Sequence, residues 1–164
     1  MTLVDLLLER NGHYVETDFP GARPLRPARG LAIVACMDSR MDMFELLGLD
    51  NGDAHVIRNA GGVVTDDVIR SLAISQRVLG THGIVLVHHT DCGLQKINDD
   101  AFRDELEQAT GLRPTFSIES FRDARASVRQ SIARLQHSPF IVSTEIVGFV
   151  YDVESGRLEV VEES

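Results

Sequence analysis

The sequence predicts an α/β fold in which helices flank a mostly parallel central sheet. The segments LAIVAC (31–36) and IVLVHH (84–89) are apolar almost throughout, without the polar alternation of a half-exposed strand. Such segments are typical of strands that are covered on both faces. Helical patterns separate these segments from each other and from a third apolar segment at 146–153. Because strands that alternate with helices pair in parallel, we expect one mostly parallel sheet.

The other elements follow from hydrophobic periodicity and from residues that begin or end helices. Leu3, Leu6 and Leu7 share one face of a short amphipathic helix over residues 3–10. Residues 14–30 contain three prolines and predict an extended arm. After the first strand, the predicted elements are a helix over 41–47 ended by Gly48, a strand over 55–58, a helix that Thr65 caps and Gly80 ends, a helix from Asn98 to Ala109, a helix over 120–136 capped by Ser120, and a closing strand or hairpin over 146–153 and 157–161.

Length and composition limit the class of protein. The 164 residues fit one domain with a real core, which we divide into an amino-terminal helix and arm (1–30) and an α/β body (31–164). The net charge of −9 argues against nucleic acid or an anionic membrane as partner. No apolar run approaches the ~20 residues of a membrane span, and the first residues lack the basic leader of a signal peptide. With only two cysteines, the chain suits a reducing cytoplasm, where thiols ligate metals more often than they pair.

Three side chains suggest a metal centre. Cys36 ends one apolar segment, and His89 and Cys92 follow the end of another in the run HHTDCG. In a parallel sheet, sites form at the carboxyl ends of strands near a switch in strand order, so the fold can bring these donors together. Two thiolates and one imidazole make a zinc shell with one open position, as in catalytic sites. The alternatives are two buried free cysteines or a disulfide.

Asp38 and Arg40 stand beside the first of these cysteines. The Asp38 carboxylate can be a fourth zinc ligand that closes the site, or it can accept a hydrogen bond from metal-bound water. Arg40 can decide between these states by holding Asp38 with two hydrogen bonds. When Asp38 is held, the water stays on the metal and its pKa falls towards ~7, which supplies hydroxide. The alternative is a surface ion pair without function.

These motifs resemble those of the β-class carbonic anhydrases. ACMDSR (35–40) is similar to the family's Cys-x-Asp-x-Arg segment, HVIRNAGG (55–62) to its Arg-Asn-Ala-Gly loop, and HHTDCG (88–93) to its His-x-x-Cys-Gly segment. The resemblance spans roughly residues 30–150. It implies the β-carbonic-anhydrase fold and reversible hydration of carbon dioxide to bicarbonate by a zinc-bound hydroxide. It also implies a homodimer, or a dimer of dimers, in which the 1–30 arm wraps the partner.

The resemblance also assigns roles to residues. Cys36, His89 and Cys92 are expected to hold one Zn²⁺ per subunit, and Asp38 with Arg40 to form the gating dyad. The chain departs from many members at three pocket positions, His55, Gly62 and Ile74. The zinc shell alone does not distinguish carbon dioxide hydration from hydrolysis of carbonyl sulfide or carbon disulfide. A non-catalytic zinc module, closed permanently by Asp38, is a third alternative that Arg40 argues against.

Substrate contacts are assigned from the loop between the motifs. Backbone N–H groups at Gly61 and Gly62 are candidate donors to the negative oxygen that develops on the substrate. His55 is a candidate for substrate binding or for carrying the released proton. His88 is expected to point away from the metal, because adjacent residues of a strand face opposite sides. For Arg58 we favour a structural ion pair with a carboxylate of a dimer neighbour over contact with bicarbonate.

Overall fold

A five-stranded sheet organises the described residues, 1–142 and 145–162, of this computed structural model. Residues 163–164, the end of the predicted body, lie outside this description. The strands are β1 (Leu31–Cys36), β2 (Ala54–Asn59), β3 (Gly83–His89), β4 (Glu145–Tyr151) and β5 (Leu158–Val160), and their spatial order is β2-β1-β3-β4-β5. The first four strands are parallel, and β5 pairs antiparallel to β4. The predicted α/β fold, with its mostly parallel sheet and closing hairpin, is confirmed.

Five helices of the described residues accompany the sheet, and most of their ends follow the predicted signals. They are α1 (Leu3–Thr17), α2 (Met43–Leu47), α3 (Asp66–Arg77), α4 (Asp99–Thr110) and α5 (Ala124–Gln136), with two 3₁₀ turns at Ala60–Gly62 and Gly93–Lys96. Thr65 and Asn98 cap α3 and α4 by accepting backbone N–H groups, which orients the first turn of each helix. Gly48 and Gly111 end α2 and α4 in the left-handed conformation.

Two predicted helix boundaries are wrong by more than two residues. The first helix continues to Thr17, so the extended arm begins later than residue 14. Its periodic leucines end early, but the helix continues through Gly12, and no proline interrupts it before Pro20. The last helix begins at Ala124 and not near Ser120, because Asp123 accepts the N–H of Ala126 and caps it.

The sheet is covered on both faces by apolar side chains. Helices α3 and α5 pack on one face, where their buried residues meet Val34, Ile84 and Leu86 of the central strands. On the other face, Ile33 and Val87 pack with residues of α2 and of the 93–96 turn. Helix α1 contributes no buried residue. None of the helices in the described part of the chain is long and apolar enough to cross a membrane.

The strand order places the carboxyl ends of β1 and β3 side by side. β1 pairs with β2 on one edge and with β3 on the other, so the order of connection reverses at β1. In register, Ala35 lies opposite Val87, which brings the ends of both strands to the same level. Cys36 and His89 therefore emerge at the switch point, where α/β sheets bind their ligands.

Candidate metal centre

Cys36, His89 and Cys92 converge at this switch point. Their ligand atoms all lie within 4.8 Å of one another, and all three residues are buried. The two sulfurs are 3.9 Å apart. Thiolates bound tetrahedrally at about 2.3 Å from one zinc ion lie ~3.8 Å apart, so the sulfur spacing suits that ion. The structure thus brings together the three donors that the sequence singled out.

The imidazole of His89 is oriented as a metal ligand. Its Nδ1–H donates to the carbonyl of Thr90 over 2.8 Å, which leaves Nε2 with a free lone pair in the neutral ring. Nε2 is fully buried and has no hydrogen-bond partner among the described residues. Buried nitrogen atoms without a partner are costly, and a metal ion would satisfy this one. The donor set of one imidazole and two sulfurs therefore fits zinc.

The surroundings favour the thiolate form of Cys36 and the thiol form of Cys92. The hydrogen bond from Cys92 lowers the pKa of the Cys36 thiol, and His89 and the backbone N–H groups of Asp38 and Gly61 act in the same direction. The shared proton raises the pKa of Cys92. Burial acts to lower the pKa of His89, but the neighbouring Cys36 outweighs it and raises that pKa overall. A cation entering the cluster would replace the shared proton.

Asp38 lies beside the cluster in the grip of Arg40. Arg40 Nε donates to Asp38 Oδ1 over 2.9 Å, and a terminal nitrogen donates to Oδ2 over 2.7 Å. The hydrogen bonds from Arg40 hold the pKa of Asp38 well below its usual range. Asp38 Oδ2 is 3.6 Å from Nε2 of His89, so the carboxylate is close to the donors while Arg40 holds it. This is the arrangement predicted for the open state of the dyad.

Arg58 fixes the loop that carries Cys36 and Asp38. Its guanidinium donates to the carbonyls of Cys36, Asp38 and Met41, at 2.9, 2.6 and 2.9 Å. Within the chain its partners are carbonyl groups, and the ion pair with a carboxylate of a dimer neighbour stays a prediction. Because the three carbonyls span the loop after β1, Arg58 holds both candidate site residues in place.

A cleft of about 570 Å³ opens over the cluster. Cys36, Asp38, Gly61 and Cys92 line it on the side of the donors. The rest of its lining is mostly apolar and includes Met37, Leu94, Ile97, Phe102, Phe116 and Ile118. An apolar wall beside a polar floor suits a small, uncharged substrate.

Not every predicted pocket residue reaches this cleft. His55 lies at the amino end of β2, opposite Ala32, and its Nδ1 is paired with Ser75 Oγ at 2.7 Å. A strand rises about 3.3 Å per residue, and Asn59 at the carboxyl end of β2 is four residues from His55. His55 therefore lies ~13 Å from the end of the sheet at which the metal cluster lies. The prediction that His55 binds substrate is thus not supported within the single chain.

The glycine pair divides between two roles. Gly61 lines the cleft, and its backbone N–H lowers the pKa of the Cys36 thiol, so its expected role as a substrate donor stays a prediction. Gly62 is buried behind the loop, where a Cβ would lie 2.7 Å from the backbone nitrogen of Cys36. The expected role of Gly62 in substrate binding is therefore replaced by close packing.

The two adjacent histidines diverge, as predicted. His88 is fully buried and donates from Nε2 to the carbonyl of Gly62 over 3.1 Å. It does not belong to the cluster of ligand atoms. His88 thus braces the turn that packs against Cys36.

Sequence reasoning missed Asp91, Lys96 and the aromatic wall. Asp91 stands in the quoted run HHTDCG but received no role, and it bonds both Arg40 and Lys96. Phe116 lies in an irregular segment between α4 and α5, where no periodicity could assign it.

Fold and cluster together define a class, a zinc enzyme with an α/β sheet.

Comparison with known proteins identifies the family. The sequence profile of the carbonic anhydrase family matches residues 31–158. "Beta-carbonic anhydrase 1" of Mycobacterium tuberculosis is 53% identical over 159 residues, covering 96% of this chain and 97% of that protein. The crystal structure of a carbonic anhydrase from Streptococcus mutans superposes with a TM-score of 0.92 at 44% identity, covering 99% of each chain. A "Carbon disulfide hydrolase" of Saccharolobus solfataricus is 35% identical over 155 residues, covering 79% of this chain and 76% of that protein.

The chain belongs to the β-class carbonic anhydrases, a family of zinc enzymes. The resemblance inferred from the three motifs is confirmed.

Proposed function

We propose that the chain catalyses the reversible hydration of carbon dioxide to bicarbonate, with Cys36, His89 and Cys92 as the ligands of one Zn²⁺ per subunit. The observation that carries this proposal is the convergence of these three donors beside an Asp38 that Arg40 holds. A site with three protein ligands keeps a position for water, whereas structural zinc sites are usually closed by four.

The zinc ion, when bound, supplies Lewis acidity that lowers the pKa of a coordinated water to about 7. Asp38, kept anionic by Arg40, accepts a hydrogen bond from the attacking water and orients it. The apolar wall of the cleft, which includes Leu94 and Phe116, receives carbon dioxide and limits competing water. If Arg40 releases Asp38, the carboxylate is near enough to become a fourth ligand, and the site closes.

Stopped-flow hydration of carbon dioxide by the zinc-loaded protein, between about pH 6.5 and 9, tests the activity. We expect rates that rise with pH. Arg40→Ala should lower the rate by about 10²-fold or more, because Asp38 is then free to occupy the metal. Arg113→Ala is the matched control, since Arg113 also bonds two carboxylates, Asp104 and Glu107, but lies outside the site. Equal rates for the two variants would contradict the gating dyad.

The ligand set has its own test. Single substitutions of Cys36, His89 and Cys92 by serine or alanine should each abolish stoichiometric zinc in elemental analysis. His137→Gln, at an exposed histidine that bonds only the carbonyl of Ala133 among the described residues, should retain it. Full zinc content in any ligand variant would overturn the assignment.

Carbon disulfide is the second candidate substrate, because relatives named carbon disulfide hydrolase are 31–35% identical to the chain. The 53% identity to a β-carbonic anhydrase favours carbon dioxide. Hydrolysis of carbon disulfide or carbonyl sulfide without hydration of carbon dioxide would reverse this assignment.

We also propose that the chain forms a homodimer in which the segment 1–30 wraps the partner, with dimers able to pair further. Leu3, Leu7 and Leu8 of α1 are 56–70% exposed, an apolar face that nothing in the described chain covers. A groove of about 740 Å³ between α3 and the end of α5 offers Ile74 and Phe140, with arginines at its edge. The acidic residues of α1 suit that basic edge. In this proposal the segment 1–30 serves assembly, and residues 31–164 form the catalytic domain.

Sedimentation of the full chain tests this assembly. Leu7→Arg should shift the protein towards monomer, whereas Leu112→Arg, at a loop leucine that is 75% exposed against 56% for Leu7, should not. A monomeric wild-type protein would refute the proposal.

Both cysteines are free thiols, which supports a reducing compartment such as the cytoplasm.

A further inference from the structure

We infer that Asp91, anchored by Lys96, is a positioning residue that holds Arg40 in the orientation from which it grips Asp38. This inference rests on the gating dyad proposed above and extends it by one shell of contacts. Asp91 lies in the turn between His89 and Cys92, so the segment that supplies two metal ligands also restrains the arginine.

The donors of Arg40 are divided between two residues. Nε and one terminal nitrogen hold the carboxylate of Asp38 at 2.9 and 2.7 Å. The other terminal nitrogen donates to Asp91 Oδ2 at 3.1 Å, and the nitrogen that bonds Asp38 Oδ2 also reaches the Asp91 carbonyl at 3.2 Å. Since the guanidinium is planar and rigid, fixing the edge that faces Asp91 fixes the edge that faces Asp38.

Asp91 is itself restrained on two sides. Its second oxygen, Oδ1, accepts a hydrogen bond of 2.7 Å from Lys96, at the end of the 93–96 turn. Its backbone adopts a left-handed conformation with φ of 53°, which turns its carbonyl towards Arg40. Such a conformation is uncommon outside glycine, asparagine and aspartate, and it is retained where the surroundings impose it.

The contact is needed because Arg40 is partly solvated. The Arg40 side chain is 44% exposed, so water competes for its donors even where they bond Asp38. A network of ion pairs holds Arg40 better than one pair does. It runs from Lys96 through Asp91 and Arg40 to Asp38. Weakening it should increase the fraction of molecules in which Asp38 is released.

Asp91→Asn is the sharpest perturbation. Asparagine tolerates the left-handed backbone and keeps the shape, but its amide offers one acceptor, and its NH₂ must face either Arg40 or Lys96, both of which are donors. The matched control is Asp104→Asn. Asp104 is 58% exposed, against 53% for Asp91, and shares Arg113 with a second carboxylate as Asp91 shares Arg40.

Two measurements test the inference. Carbon dioxide hydration by the zinc-loaded enzyme should fall about three- to tenfold in Asp91→Asn, and should stay within about twofold of wild type in Asp104→Asn. Lys96→Ala should give a smaller loss, and Lys96→Arg, which keeps the charge, should restore it. In the metal-free protein, NMR exchange of the Arg40 Nε–H should be faster in Asp91→Asn, a change that general destabilisation would spread over all arginines.

The outcomes separate the two proposals. If Arg40→Ala lowers the rate but Asp91→Asn matches Asp104→Asn in both rate and Nε–H exchange, the role of Asp91 is wrong and the dyad stands. If Arg40→Ala itself matches Arg113→Ala, the dyad fails, and the inference about Asp91 fails with it.

Discussion

Replacing Gly62 with alanine should damage the metal centre, although this residue contacts no ligand atom. Gly62 has a φ of 68°, and a Cβ there would lie 2.7 Å from the nitrogen of Cys36, 2.9 Å from the carbonyl carbon of Ala35 and 3.2 Å from the oxygen of Val87. All three are backbone atoms of β1 and β3, so no side chain can rotate away. Either these strands or the 60–62 turn that carries Gly62 must move.

The expected cost has two parts. The left-handed conformation of an L-residue costs about 1–2 kcal/mol. Overpacking a closely packed interior adds about 1–3 kcal/mol. Gly111→Ala isolates the first part, since Gly111 has a φ of 76° with no atom within 4 Å of its Cβ position. Gly62→Ala should therefore lower the free energy of unfolding by about 2–5 kcal/mol, and Gly111→Ala by about 1–2 kcal/mol.

Zinc affinity distinguishes local displacement from general instability. Because the clash lies against the backbone of Cys36, we expect Gly62→Ala to weaken zinc binding by about 10–100-fold, the range seen when the groups that orient ligands are altered. Urea denaturation of the metal-free proteins and zinc competition with a chelator supply the two values. If both variants show the same stability loss and wild-type zinc affinity, the close approach of Gly62 to Cys36 has no functional consequence, and the reasoning is refuted.

Three further predictions concern the loop and its support. Arg58→Lys places a single nitrogen where three nitrogens bond separate loop carbonyls, so it should cost about 1–2 kcal/mol of stability and weaken zinc binding, whereas Arg70→Lys, at a surface ion pair, should change neither. Burial lowers the pKa of His88 to about 4. The unfolded chain therefore takes up a proton on His88 near pH 6.5, and the folded chain only near pH 4. As pH falls between these values, the metal-free protein should lose up to about 3 kcal/mol of stability. In denaturant titrations, His88→Gln should reduce this dependence of stability on pH. Chelation of zinc should lower the melting temperature of the wild type, and a melting temperature independent of zinc would contradict the donor cluster.

The fold was predictable because its strands carry a strong local signal. LAIVAC and IVLVHH are long, apolar and β-branched, and the strands run from Leu31 to Cys36 and from Gly83 to His89. The boundaries of α1 and α5 were wrong because polar residues can extend a helix or cap it equally well. At α5, both Ser120 and Asp123 are acceptable caps, and only tertiary structure selects Asp123.

The candidate site was predictable only where it lies on regular elements. Cys36 and His89 end neighbouring strands, so topology alone brought them together. His55 was assigned from the motif between them, and strand register places it at the opposite end of β2. The cleft wall and the contacts of Asp91 and Arg58 depend on irregular segments, whose course follows from packing and not from periodicity.

Cys36 and Cys92 are 56 positions apart along the chain. Cys36 ends β1 and Cys92 follows β3, and these two strands pair at the centre of the sheet. An ion held by both sulfurs would act as a reversible cross-link that closes a long loop of the unfolded chain. By the chain-entropy relation for disulfides, closing such a loop disfavours the unfolded state by about 4 kcal/mol. The supply of free zinc would then affect the stability of the folded protein as well as its activity.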